Sequence, residues 1–392
     1  MNRREPSVGE IARAFLHLGL TAFGGLAMLE PMRRMTVDKQ GWLGQEEFMD
    51  GLALCQLLPG ATVVQLGTYI GYRLRRVAGA FAAAGAFILP AFIFMLALSF
   101  LYFTYTHISW VQAVSRGMGA VVIALLLQTL WRLGQAVRKQ WLDAVIALLA
   151  LAAFWLRVNF LLVFLLAGLL RMALGLWLLP GQSFPKPASP MARPRLGLTL
   201  ALLALVLLGV GLAVWGLGRL QPDLARMTQI LLKIGVVSFG GGFVMIPILQ
   251  WEVVNTLSWL TLKQFMDGIL LSFITPGPII ILATFVGYRV YGLLGAVVAT
   301  LAIFLPPILM IIFLTPYYQR LKEARWMRPA IQGILAALVG MLALVTLQMG
   351  QAALIGGQDI LLTAATAIAL MVFEVNLLWI VPAVVGLSLF IF

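Results

Sequence analysis

The fold is decided by a stretch of sequence that occurs twice. Residues 46–73 read EEFMDGLALCQLLPGATVVQLGTYIGYR, and residues 263–289 read KQFMDGILLSFITPGPIIILATFVGYR. Both contain Phe-Met-Asp-Gly, then Pro-Gly, then Gly-Tyr-Arg, at an offset of 216 or 217 residues. The same offset relates Phe23-Gly24-Gly25 to Phe239-Gly240-Gly241, and Val158-Asn159 to Val375-Asn376. Because the register holds over so long a span, we interpret the chain as a duplication of one unit.

Composition predicts that both halves are embedded in a membrane. Of the 392 residues 62% are hydrophobic and only 10% are charged, with a mean hydropathy of +1.01, whereas soluble proteins carry about 25% charged residues. Apolar stretches of about 20 residues recur, each long enough to cross a hydrocarbon core of about 30 Å. Runs such as Ala144–Leu156 and Leu200–Leu217 are continuously apolar, which favours helices over barrel strands. We therefore predict an all-α polytopic protein embedded in a lipid bilayer.

The repeat divides the chain into three predicted parts. The first half occupies residues 1–180 and the second 227–392, while residues 181–226 combine a basic, proline-rich linker with an extra transmembrane helix near 196–217. Each half is expected to make six crossings. In the first half these fall near 11–29, 49–72, 77–103, 110–131, 141–156 and 159–178.

Charge placement indicates that the two halves have opposite orientations. Residues 132–140 are basic while the equivalent 348–358 contain no Lys or Arg, and residues 104–109 contain none while 317–328 are basic. Opposite charge at equivalent loops is expected of inverted repeats, since basic loops stay in the cytoplasm. Arg171 is assigned to the inner side as an anchoring charge. The cluster of Arg33, Arg34 and Lys39 falls outside in this scheme, and a re-entrant first segment is the alternative.

Glycine and proline interrupt the apolar segments at matching places in both halves, and such interruptions mark transport sites in inverted-repeat carriers. Glycine permits positive φ, and proline suits the first turn of a new helix. Each interruption could therefore expose the N-terminus of a half-helix, which binds an anion without a cationic side chain. The alternative is close packing or kinking of helices. The candidate substrate-binding residues are Gly24, Gly25, Pro59, Gly60, Thr62, Ser238, Gly240, Gly241, Thr275, Pro276 and Gly277.

A few polar side chains in the apolar segments are further candidates, because such residues are costly in a membrane. His17 and Lys233 occupy equivalent positions and could attract an anion or relay protons, or they could extend to the headgroups. Arg116 has no basic partner at the equivalent Gln332, so it is either an asymmetric substrate contact or an interfacial anchor. Further hydroxyl and amide groups could donate to an oxyanion or join neighbouring helices: Gln56, Gln65, Ser272 and Thr284.

These motifs together resemble the chromate ion transporter family. The first half carries FGG, GWL, EEFMDGLAL, LLPG, QLGTYIGYR and FILPAF in that family's order, and the second carries SFGGGFVMIP, WLTLKQFMDGI, TPGP, ATFVGYR and AIFLPP. The resemblance is to the long form with two domains in one chain. It implies a multi-pass protein of the bacterial inner membrane that exports chromate or a related oxyanion from the cytoplasm. It also implies coupling of export to an ion such as the proton, and chromate resistance.

Departures from the family pattern keep the substrate open. Leu26 stands where the family has the proline of FGGP, and Ala61 stands where it has the second proline of LPGP. Ser272-Phe273 replaces a frequent Gly-Gln pair before TPGP. Since these positions surround the proposed site, a carrier of sulfate or another oxyanion is the alternative.

The sequence gives little support to other classes of function. It contains two histidines, no HExxH, no P-loop and no dense acidic cluster, so we expect neither an enzyme nor a cofactor. The single cysteine, Cys55, excludes a multi-cysteine metal site, and we predict no metal. The net charge of +13 comes from Lys and Arg between apolar segments, so no nucleic acid is expected as a partner. A homodimer is left open.

Overall fold

The computed structural model describes residues 6–21, 28–105, 109–178, 196–237, 245–317 and 327–392. These parts of the chain are helical and contain no strand. Two short helices continue as single π-helical turns, Arg34–Lys39 and Trp251–Thr256. The helices are α1 Val8–Thr21, α2 Leu29–Arg33, α3 Gln45–Leu57, α4 Thr62–Tyr105, α5 Ser109–Arg138, α6 Trp141–Trp155, α7 Phe160–Leu178, α8 Leu196–Leu220, α9 Pro222–Val237, α10 Met245–Gln250, α11 Leu262–Ile274, α12 Leu282–Leu314, α13 Met327–Ala353, α14 Gly357–Met371 and α15 Leu377–Ile391.

Backbone conformation repeats together with the sequence. The described residues with positive φ form pairs 216 or 217 residues apart: Gly41 with Ser258, Gly60 with Gly277, Arg76 with Gly292, and Arg157 with Glu374. Positive φ is unfavourable for residues other than glycine, so its recurrence at arginine, serine and glutamate positions requires the same turn in both halves. The predicted duplication is confirmed in the fold itself.

Helix α4 is a hairpin of two helical arms, because Arg75 and Arg76 leave the helical region (φ −142° and 52°). Gly71 and Gly79 face each other across this turn, and a Cβ on either would collide with the carbonyl of the other. Eight residues along one straight helix would separate them by about 12 Å. The chain must therefore double back, and only glycine allows the arms to approach so closely.

Helix α12 contains the same hairpin. Tyr291 and Gly292 break its helical conformation, and Gly287 and Gly295 approach each other as Gly71 and Gly79 do. These reversals limit the length of the first arm of each hairpin. The arm from 62 to 74 is about 20 Å long at the α-helical rise, which is too short for a hydrocarbon core of about 30 Å.

Five described helices are long and apolar enough to span a membrane, within Thr62–Tyr105, Gln112–Gln135, Ala201–Arg219, Ile279–Tyr317 and Pro329–Ala353. Shorter apolar helices occupy Trp141–Trp155, Phe160–Gly175, Gly357–Met371 and Trp379–Ile391. The extra helix predicted near 196–217 is α8. The segment 49–72, predicted as one crossing, consists of α3 and the first arm of α4, separated by a break at Leu58–Ala61.

The chain forms two compact units, and each contains segments of both halves. The first unit comprises Met1–Phe94, Leu176–Gly242 and Pro276–Arg328. In it, α1 packs on α4 where a Cβ at Gly19 would lie 2.5 Å from the Phe87 carbonyl oxygen. The equivalent Gly235 of α9 meets the Ile303 carbonyl of α12 at 2.6 Å. Since the equivalent glycines make equivalent contacts, the first helix of each half packs on its long hairpin in the same way.

The second unit comprises Met95–Gly175, Phe243–Thr275 and Pro329–Phe392. Its helices exchange partners between the halves: α5 packs against α14 and α15, while α13 packs against α6 and α7. Gly117 of α5 faces Ser388, and the equivalent Gly333 of α13 faces Arg171. The parts 1–180, 181–226 and 227–392 describe the sequence repeat and remain a prediction. The boundaries of the two compact units are different.

The assignment of Arg171 as an anchoring charge is wrong, because its side chain lies inside the second unit with 4% exposure. Its Nε donates to Asp143 Oδ1 at 2.5 Å, and its Nη2 contacts Gln140. A buried charge is tolerated when it is paired and hydrogen-bonded. Arg171 therefore joins α7 to the start of α6 and is not a free headgroup contact.

Two residues of the basic cluster that the topology scheme placed outside, Arg33 and Arg34, are paired locally. Arg33 Nε lies 3.0 Å from Glu30, and Arg33 Nη2 lies 3.0 Å from Asp38. Arg34 Nε lies 2.7 Å from the other oxygen of Glu30. Both arginines therefore form ion pairs with acidic residues within the segment 30–38.

Candidate functional site

The first Pro-Gly interruption produces a buried helix start. Helix α3 ends at Leu57, the chain turns through Pro59 and Gly60, and α4 begins at Thr62. Gly60 has φ +134°, a conformation that favours glycine. The N–H groups in the first turn of a helix have no acceptor within it, and here Thr62, Val63 and Val64 are 5%, 5% and 0% exposed. The partial positive end of α4 therefore lies inside the protein.

The second interruption repeats this arrangement. Helix α11 ends at Ile274, Gly277 has φ +111°, and a short turn at Ile279–Ile281 leads into α12. All three isoleucines are buried. The Ile281 N–H is bonded to the Pro278 carbonyl at 3.0 Å, which leaves the N–H groups of the preceding residues at a second buried helix start.

Each break packs on the long arm of the other half, and both contacts lie in the first unit. A Cβ at Gly60 would come within 2.5 Å of Pro307 Cβ in α12. At Gly277 it would come within 2.7 Å of Ala91 Cβ in α4. Ala91 and Pro307 are themselves 216 residues apart. The predicted Pro-Gly residues are thus arranged as a reciprocal pair.

Gln65 supports the first break and offers it a polar group. Its Nε2 donates to the Pro59 carbonyl at 2.6 Å, which fixes the turn before the helix. Its Oε1 is buried without a hydrogen-bond partner among the described residues. A buried acceptor left unpaired is costly, so a water or a ligand that donates a hydrogen bond is expected there.

The glycine-run candidates cannot be placed. Gly24, Gly25, Ser238, Gly240 and Gly241 all lie outside the described residues. Helix α1 ends at Thr21 and α9 ends at Val237, immediately before these two runs. Their role in binding stays a prediction.

Most of the other polar candidates bond within their own surroundings. Ser272 Oγ donates to the Ile269 carbonyl at 2.5 Å, and Thr275 Oγ1 donates to the Leu271 carbonyl at 2.7 Å. Thr284 Oγ1 lies 2.7 Å from Thr300 Oγ1, which joins the two arms of the α12 hairpin. Ser272 and Thr275 therefore bond to their own helix, and Thr284 joins two helical arms, while a role of these residues in binding stays a prediction.

His17 and Lys233 both have exposed side chains. His17 lines a cavity of about 350 Å³ together with Glu10, Arg13 and Gln40, and neither Pro-Gly break contributes to it. Anion attraction and proton relay remain predictions for this pair of residues.

Arg116 lines a larger cavity, of about 480 Å³, in the second unit. Its Nε and Nη2 donate to the two oxygens of Asp359, each at 3.0 Å. Its guanidinium also lies 4.4 Å from the centre of the Phe392 ring. Since Asp359 balances its charge, Arg116 presents a paired cation to the cavity.

Asp267 lies on the wall of the same cavity and was missed as a functional candidate. It was recognised only as part of the repeated Phe-Met-Asp-Gly motif. Its carboxylate accepts hydrogen bonds from Tyr102 Oη at 2.7 Å and from Ser115 Oγ at 2.6 Å. An acidic residue in an apolar helix is by itself a signal of function, and this signal was available in the sequence.

A helical membrane protein with two homologous halves and paired breaks in its helices has the architecture of a secondary transporter. The chain matches the chromate transporter family over residues 9–172 and again over residues 225–390. It therefore belongs to the chromate transporter family, in the form that carries both halves in one chain. Members of this family transport and do not catalyse a reaction, so the chain is not an enzyme.

Curated relatives agree over most of the chain. A chromate transport protein of Cupriavidus metallidurans is 31% identical over 93% of this chain and 88% of its own length. A chromate transport protein of Pseudomonas aeruginosa is 31% identical over 88% of this chain and 82% of its own length. An uncharacterized transporter of Methanocaldococcus jannaschii is 32% identical, with 88% and 85% covered. No solved structure matches the chain.

Proposed function

We propose that the protein exports chromate from the cytoplasm across the inner membrane, driven by an ion gradient, and so confers chromate resistance. Two relatives that resemble most of the chain are named chromate transport proteins. The substrate is held by the N-termini of broken helices and not by a cationic side chain.

The observation that carries this proposal is the reciprocal pair of breaks at Gly60 and Gly277. Each break is followed by a buried helix start, where the helix dipole contributes about half a positive charge. Buried N–H groups without an intrahelical acceptor favour an anion with several oxygens. A tetrahedral dianion has enough acceptors to bond several such groups at once. Thr62, buried in the first turn of α4, adds a hydroxyl donor.

The second candidate substrate is sulfate or a similar oxyanion. Chromate and sulfate have the same shape and charge, and donors on a helix N-terminus distinguish them poorly. The departures from the family pattern at Leu26 and Ala61 directly follow Gly24-Gly25 and Pro59-Gly60 in the sequence, and they keep this candidate open.

Competition in proteoliposomes separates the two candidates. The purified chain is reconstituted, and uptake of radiolabelled chromate is measured against increasing unlabelled chromate, sulfate and molybdate. The proposal expects saturable chromate uptake that unlabelled chromate inhibits at lower concentration than sulfate does. Saturable sulfate uptake that chromate does not inhibit would overturn it, and vesicles without protein provide the control.

A further inference from the structure

Three aspartates are buried in the second unit, and they differ in their partners. Asp143 is 5% exposed and is paired with Arg171. Asp359 is 2% exposed and is paired with Arg116. Asp267 is also 5% exposed, yet no Lys, Arg or His among the described residues lies within 4.0 Å of its carboxylate. A carboxylate buried without a cation is strongly destabilised as long as it stays ionised.

The groups that hold Asp267 can satisfy both of its protonation states. Tyr102 Oη lies 2.7 Å from Oδ2, and Ser115 Oγ lies 2.6 Å from Oδ1 and 2.7 Å from Oδ2. A hydroxyl can donate to a carboxylate or accept from a carboxylic acid. An arginine, which only donates, fits the ionised form alone. Asp267 is therefore suited to gain and lose a proton without losing its hydrogen bonds.

A route for the proton is present, because Asp267 and Ser115 border the cavity of about 480 Å³. This volume holds several water molecules. The charged groups that face it are Lys263 from α11 and Arg116 from α5, and the latter is already neutralised by Asp359 of α14. Tyr102, from the end of α4, is the other titratable side chain in contact.

One of these hydroxyl-bearing residues is not repeated in the other half. Asp50 corresponds to Asp267, but the residue that corresponds to Ser115 is Ile331. Isoleucine cannot hydrogen-bond a carboxyl group. The duplication has thus retained both aspartates, and a tyrosine at positions 102 and 318, but the serine in one half only.

We propose that Asp267 is the proton-binding carboxylate of the transporter. A proton passes from a hydronium ion in the cavity to a carboxylate oxygen, which leaves a water molecule and a carboxylic acid that donates to Ser115 Oγ. Release of the proton reverses the step. Helix α11, which carries Asp267, runs into Thr275-Pro276-Gly277, so protonation acts on the helix that precedes the second break. This inference rests on the proposed function, since it names the residue that couples export to the proton gradient.

Two measurements on proteoliposomes test the proposal. The first is chromate accumulation driven by an acidic vesicle lumen, which reports coupling. The second is exchange of external labelled chromate for internal chromate at equal pH, which needs no net proton movement. We expect Asp267→Asn to lose gradient-driven accumulation at least tenfold while exchange stays within about twofold of the wild type. Wild-type accumulation by Asp267→Asn would overturn the proposal, and so would accumulation driven by sodium in place of protons.

Matched variants separate proton binding from a purely structural tie between helices. Ser115→Ala with Tyr102→Phe removes both hydrogen bonds but keeps the carboxyl group, so we expect it to shift the pH dependence of gradient-driven accumulation without abolishing accumulation. Asp50→Asn should behave like the wild type. If the double variant loses accumulation while Asp267→Asn keeps it, Asp267 is a structural tie and the proposal is wrong.

A chemical probe on the wild-type protein covers the case in which Asp267→Asn does not fold. Dicyclohexylcarbodiimide adds to a protonated, water-poor carboxyl group to give a stable N-acylurea, which mass spectrometry locates in the sequence. Labelling of Asp267 that increases as pH falls supports the proposal, and absence of labelling at every pH at which the vesicles transport overturns it. This readout does not require chromate, so its failure is distinguishable from failure of the proposed function.

Discussion

Gly60 of the first half lies against Pro307 of the second, so closely that a Cβ on the glycine would come within 2.5 Å of the proline Cβ. The equivalent contact joins Gly277 to Ala91 at 2.7 Å. Each helix break is thus held by the long hairpin arm of the opposite half. This exchange makes the two breaks interdependent, because a change in one half alters the support of a break in the other.

Replacement of the break glycines should destabilise the protein. Gly60→Ala and Gly277→Ala each introduce a side chain at positive φ, which costs about 1–3 kcal/mol, as well as the clash with Pro307 or Ala91. Gly134→Ala is the matched control, since nothing lies within 4 Å of its added Cβ. Thermal melting in detergent should show a lower Tm for both break variants and no loss for the control. Equal melting of all three would contradict the packing described here.

Removing one partner of the buried Asp143–Arg171 ion pair should lower the stability of the protein more than removing both partners. Asp143→Asn or Arg171→Met leaves one buried group without its partner, and such single changes cost about 3–5 kcal/mol. The double variant removes both charges and should recover part of that loss. The measurement is the monodisperse fraction after detergent extraction, followed by Tm. A double variant less stable than both single variants would show that the two residues do not act as a pair.

Inverted orientation of the halves predicts opposite locations for equivalent loops. Reporter fusions near Tyr105 and near Lys322 should respond from opposite sides of the membrane, because the first loop lacks basic residues and the second is basic. Alkaline phosphatase, active outside, and green fluorescent protein, fluorescent inside, give complementary signals. Fusions that report the same side at both positions would refute inversion.

The sequence was sufficient for the fold class because its signals are local and repeated. Apolar length, Pro-Gly interruptions and the fixed offset predict helices, breaks and duplication without knowledge of contacts. The chain reversal at Arg75–Arg76 was predicted, because the crossings near 49–72 and 77–103 place a turn between them. The close contact between Gly71 and Gly79 was not predicted, because it depends on how tightly the two arms of the hairpin pack.

The helix breaks of the candidate site were predicted, and their role in binding stays a prediction. Pro59, Gly60, Pro276 and Gly277 were found from conformational requirements that a sequence displays directly. The partners of charged residues were not, because pairing such as Arg116 with Asp359 depends on how helices of different halves pack. Asp267 could have been found as an acidic residue in an apolar helix, but its hydroxyl donors could not, since they come from α4 and α5 and are distant in sequence.

The most direct test of the account is the chromate concentration dependence of transport by Thr62→Val. Valine keeps the shape of threonine but removes the hydroxyl donor at the buried start of α4. Thr68→Val is the matched control, because Thr68 Oγ1 donates to the Val64 carbonyl within the same arm. A hydrogen bond to a charged group contributes about 1.5–3 kcal/mol, so the chromate KM of Thr62→Val should rise about tenfold or more while that of Thr68→Val stays unchanged. An unchanged KM for Thr62→Val, in protein with wild-type Tm, would contradict an oxyanion site at this helix start.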